Sequence, residues 1–263
     1  MKATLTIFIL IAMSTMNVHS IQKTISTKDF IVHYEENTEN YAIASLKILN
    51  VVKSNAIKIG FIFSNKVELH IVKSDKNMLY VRSDIPDLIT WEFKSINDFL
   101  SPEKSGYNNV YGLCHEMGHL CMSNILNGNN NWMTRDCREG WANYFGSLMI
   151  EHVNNDIGVK VWPDQHDYHA SRGMQSFLKS VNSNHSKKEK GFFYCSQFWY
   201  NLSSLIGHKN VCNFFYTINV IDINNSNSNS KFLDLLKTYN PGKDFIADFQ
   251  KNKSYLIVEK KVL

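Results

Sequence analysis

Two histidines four residues apart with a glutamate between them, His115-Glu116-Met117-Gly118-His119, restrict this chain more than any other stretch. On a helix, residues four apart lie one turn above each other, so both imidazoles can face one metal ion with Glu116 beside them. The pair suits zinc, which in catalytic sites takes three protein ligands and keeps one position open. Glu139 follows His119 by twenty residues and opens a second helical segment, Arg138-Glu139-Gly140-Trp141-Ala142-Asn143-Tyr144. The Asn- and Gly-rich stretch 127–136 supplies the turn that brings this segment back beside the first. Glu139 is then the natural third ligand, and the middle of the chain must form two packed helices.

These residues resemble the gluzincin metallopeptidases, the group of thermolysin and the aminopeptidase-N-like enzymes. The interval from His119 to Glu139 is similar to that of thermolysin, and Glu139-Gly140-Trp141-Ala142-Asn143-Tyr144 looks like the EGxAxY element of the aminopeptidase-N-like branch. The resemblance covers residues 107–150. It implies a zincin-like fold, one Zn²⁺ held by His115, His119 and Glu139, and Glu116 as the general base that activates water against a peptide bond. One departure is Asn143, where thermolysin-like enzymes carry an acidic residue one turn after the ligand glutamate. An amide can accept a hydrogen bond from an imidazole but adds no negative charge.

For the oxyanion of the tetrahedral intermediate, the resemblance points to a Tyr or His on a later helix. Tyr194, in Gly191-Phe192-Phe193-Tyr194-Cys195-Ser196-Gln197-Phe198, is the candidate, although Gln197 stands where a glycine is expected. His208, after Gly207, is the alternative, and an ordinary packed aromatic is the competing reading of Tyr194. The GxMEN element of the exopeptidases is missing upstream of the zinc helix, which favours an endopeptidase over an aminopeptidase. The reading from another class is a non-catalytic secreted binding or effector protein on a gluzincin scaffold, since a fold does not fix a function.

The chain has 263 residues, 44% hydrophobic and 20% charged, enough to bury a core, which excludes disordered and collagen-like architectures. The net charge of +4 comes from scattered Lys and Arg with no basic stripe, so nucleic acid is not an expected partner. Residues 1–20 begin with Lys2, run apolar from Leu5 to Met13 and end in small or polar residues, the pattern of a cleaved secretory signal peptide. Residues 21–263 are expected to be extracellular, without a membrane segment, and to meet a peptide or protein substrate. Sequons at Asn184, Asn201, Asn224 and Asn252 agree with secretion. In an oxidising compartment the five cysteines, Cys114, Cys121, Cys137, Cys195 and Cys212, are expected to give two disulfides and one thiol.

The periodicity predicts strands at 29–34, 66–72 and 88–93, and a long amphipathic helix at 38–59. Helices are expected at about 107–126, 137–153, 192–206, 209–219 and 231–239, with 224–230 a polar loop. The fold class is therefore α+β: an N-terminal mixed sheet with a backing helix, the metal helix at the cleft, and a mainly helical C-terminal part. Residues 21–263 form one unit with lobes at about 21–126 and 127–263, and little chain precedes the first strand to act as a propeptide. Strand 88–93 is the expected sheet edge for an extended peptide. Gly118 weakens its helix and so marks a close approach of a neighbouring element. Cys114 faces away from the metal, His33 and His70 read as ordinary strand residues, and His166 and His169 as exposed residues at a helix start.

Overall fold

Alternating apolar residues build the sheet. In β2 (Phe30–Tyr34) the residues Phe30, Val32 and Tyr34 are buried, in β3 (Val67–Lys73) Val67, Leu69 and Ile71, and in β5 (Leu88–Phe93) Ile89, Trp91 and Phe93. The register, with Phe30 opposite Val67 and Leu69 opposite Ile89, puts all nine on one face. Two shorter strands, β1 (Lys23–Ser26) and β4 (Met78–Val81), complete the sheet in the order β1-β2-β3-β5-β4. The inner three are parallel, while β1 on β2 and β4 on β5 are antiparallel. The structure, a computed structural model, describes residues 23–63, 65–76, 78–81, 87–94, 109–126, 132–156, 190–220 and 228–258.

Helix α1 (Glu39–Lys58) is the crossover between the parallel strands β2 and β3. Its buried residues Ala42, Ser45, Leu49, Val52 and Ala56 are three and four apart and form one stripe, with Ile48 beside it. Six further helices follow among the described residues: α2 (Asn109–Leu126), α3 (Arg135–Asp156), α4 (Lys190–Ile206), α5 (His208–Val220), α6 (Ser228–Thr238) and α7 (Lys243–Asn252).

Small residues set how closely α2, α3 and α4 approach. A Cβ on Gly118 of α2 would lie 3.0 Å from the Ala142 Cα of α3, and the Trp141 indole donates to the Gly118 carbonyl at 3.0 Å. The close approach expected at Gly118 is thus present, and α3 is the neighbour. On the other side of α3, a Cβ on Gly140 would lie 2.7 Å from the Cys195 carbonyl carbon and the Ser196 nitrogen of α4. Trp141 then packs on Phe215 at 4.4 Å between ring centroids, and Trp199 on Phe215 at 4.8 Å. One cluster of buried apolar residues extends from Phe30 to Ile257, joining the sheet to the helices.

The α+β class and the mixed sheet with its backing helix agree with the sequence reading. The sheet edge differs from it. β5 lies between β3 and β4, so the edge beside α2 is β4. Neither β4 nor β1 nor α7 is anticipated by periodicity, and α6 starts at Ser228, inside the tract expected to be a loop. The disulfide expectation also fails: all five cysteines are buried free thiols. Two of them donate to backbone carbonyls, Cys195 Sγ to Tyr255 at 3.3 Å and Cys212 Sγ to Ile59 at 3.5 Å.

Asn201 is exposed on α4, and Asn252 is half-buried and donates to Asp248. The signal segment, His166, His169, Asn184 and Asn224 lie outside the described residues. No described helix is long and apolar enough to cross a membrane.

Candidate metal centre

The buried His115 and half-buried His119, on successive turns of α2, turn their rings toward Glu139 in the first turns of α3. His115 Nε2 is 3.4 Å and His119 Nε2 3.6 Å from the same oxygen, Glu139 Oε2. The three ligand atoms all lie within 4.8 Å of one another. Burial by itself would raise the Glu139 carboxyl, but hydrogen bonds and charge attraction from His115 and His119 outweigh it and hold the group well below the usual carboxylate range. Two imidazole nitrogens and one ionised carboxylate, partly open on the His119 and Glu139 side, fit the donor set of a catalytic divalent metal.

The tautomer of His115 follows from a chain of hydrogen bonds. Ser196 donates its hydroxyl to the Phe192 carbonyl at 3.0 Å, so its oxygen accepts from the Asn143 amide Nδ2 at 3.3 Å. That turns Asn143 Oδ1 toward His115 Nδ1, 3.0 Å away, and Tyr111 donates its hydroxyl to the same oxygen at 2.9 Å. A carbonyl oxygen only accepts, so Nδ1 carries a proton and Nε2 is the nitrogen left for a metal. Asn143 would thereby orient His115 as a metal ligand without adding charge.

Glu116 sits on the sheet side of the ligands. Its Oε2 accepts the Val81 backbone N–H of edge strand β4 at 2.9 Å. Burial pushes its carboxyl up to about 7, against the attraction of His115 and the Val81 hydrogen bond. A carboxyl poised near neutral pH suits a group that takes and returns a proton.

The two candidates for an oxyanion donor are held elsewhere. Tyr194 donates its hydroxyl to Asp248 Oδ2 of α7 at 3.0 Å, and its ring packs on Phe198 and Tyr255. Any role at the metal centre requires that hydroxyl to leave Asp248. His208 Nδ1 pairs with the Tyr144 hydroxyl at 2.6 Å. Tyr144 is five residues beyond Glu139, roughly 140° round α3 by the 3.6-residue period, so His208 belongs to the opposite side of that helix. Cys114 is fully buried on α2.

Sequence reasoning misses Tyr111, Ser196 and the Val81 N–H. Tyr111 carries a legible signal, one turn before His115 on the same helix. Ser196 and Val81 reach the centre only through the α3–α4 crossing and the position of β4, which no local pattern encodes. Comparison of the chain with protein-family models, with curated proteins and with solved structures found no match.

Proposed function

We propose that the chain is a secreted, zinc-dependent peptidase of the gluzincin kind, with the metal helix α2 at the cleft between its two lobes. The observation that carries this reading is the convergence of His115, His119 and Glu139 within 4.8 Å, beside the buried carboxyl of Glu116. When bound, zinc supplies a Lewis acid that makes water a competent nucleophile near neutral pH. The protein's own groups do the rest. Asn143 holds the His115 ring through Nδ1, and Val81 anchors one oxygen of Glu116. Glu116 takes the proton of the attacking water and hands it to the departing amine. Edge strand β4, adjoining Glu116, offers an extended peptide a strand to pair with. The missing exopeptidase element favours internal cleavage.

A second reading, a secreted binding or effector protein without catalysis, is supported by the engagement of Tyr194 with Asp248 and of His208 with Tyr144. Digestion of a broad peptide library, read by mass spectrometry, separates the two. A peptidase cleaves, stops on chelation and resumes on addition of zinc. Stoichiometric zinc with an intact library favours the binding protein.

A further inference from the structure

We infer a second divalent-metal site on the outer face of the sheet, formed by His33 of β2 with Glu68 and His70 of β3, and suited to a cation of the zinc class. The parallel register sets His33 directly opposite His70, with ring centroids 4.4 Å apart. Glu68 precedes His70 by two residues and so shares its face. His33 Nε2 is 3.5 Å and His70 Nε2 3.3 Å from one oxygen, Glu68 Oε2, and the three ligand atoms lie within 4.8 Å of one another. This is the arrangement found around Glu139, reproduced on strands instead of helices.

One further observation points the same way. Thr24 of β1 places its hydroxyl 3.3 Å from His33 Nδ1, a partner for the nitrogen not aimed at Glu68, as outer supports of metal ligands do. The side chains are 24%, 46% and 30% exposed for His33, Glu68 and His70, so solvent can complete the coordination shell. Imidazole nitrogens with a carboxylate suit zinc, copper or nickel more than magnesium or calcium. A bound cation would tie β2 to β3 and, through Thr24, steady β1, which pairs with β2.

The test uses the full chain carrying His115→Ala and His119→Ala, so that the α2 centre cannot contribute. Equilibrium dialysis against Zn²⁺ with elemental analysis is expected to find one zinc per chain, with the Nε2 resonances of His33 and His70 shifting on titration. Adding His33→Asn is expected to abolish the zinc, and Glu68→Gln to weaken it by about tenfold or more. The Glu68→Gln titration and the ring resonances keep both histidines, so the inference stays falsifiable if His33→Asn fails to fold. No retained zinc, or retention that His33→Asn and Glu68→Gln leave unchanged, overturns the site. The outcome does not depend on the α2 centre: were that centre unable to bind metal, the unmodified chain would still hold one zinc, lost on His33→Asn.

Discussion

At the scale of single residues, Asn143 connects the most. It receives hydrogen bonds from His115 and Tyr111 and donates one to Ser196, all inside the core. Asn143→Ala removes the acceptor that fixes the His115 tautomer, and zinc affinity is expected to fall by about 10- to 100-fold in a chelator competition. Glu116 adds a pH dependence whose sign is definite. In the metal-free protein its folded-state carboxyl lies at about 7 against an ordinary 4.5, so the folded state binds that proton more tightly than the unfolded chain does. The resulting stabilisation is complete below about pH 4.5 and disappears as pH rises through about 7, a change of up to about 3 kcal/mol. Glu139 has the opposite sign, and because Glu116→Gln leaves it in place its contribution is common to the two proteins compared. Denaturant unfolding at pH 5 and pH 8 should therefore show a larger loss of stability in the metal-free wild type than in Glu116→Gln.

At the scale of elements, the crossing of α3 and α4 sets the outer support of the candidate metal centre, because Ser196 reaches Asn143 only there. Gly140→Ala places a methyl against the Cys195–Ser196 backbone. Overpacking of about 1–3 kcal/mol is expected, exceeding the roughly 1 kcal/mol of helix propensity gained, and thermal unfolding measures it. The longer elements were legible in the sequence because their apolar periods run over many residues: α1 with its stripe from Ala42 to Ala56, and β3 and β5 with their alternation. Met78–Val81 is too short to carry a period, and the placement of β4 outside β5 is a long-range choice. Periodicity alone therefore places the edge at β5 instead of β4. The same limit explains the site, where His115, Glu116, His119 and Glu139 announce themselves by local spacing while Val81 and Ser196 do not. His33 and His70 looked ordinary for the same reason, since only the β2–β3 register makes them neighbours.

At the scale of the whole molecule, one apolar cluster binds the sheet to the helices, and it also encloses the five cysteines. Burial raises the thiols of Cys114, Cys121 and Cys195 well above their ordinary value and that of Cys212 to about 12. The thiolate is the reactive form, so these groups should be inert in the folded protein. Titration with an aromatic disulfide reagent is expected to find no reactive thiol in the native state and all five on unfolding without reductant. A count below five on unfolding would mean that the protein carries disulfides.

The claim on which the functional account rests is that Glu116 moves a proton at a metal held by His115, His119 and Glu139. Its most direct test is the rate of peptide cleavage by the wild type and by Glu116→Gln at equal zinc content. A fall of about 10²- to 10⁴-fold with zinc retained is the expected result. Equal rates in the two proteins, or no cleavage by the zinc-loaded wild type, would contradict the account.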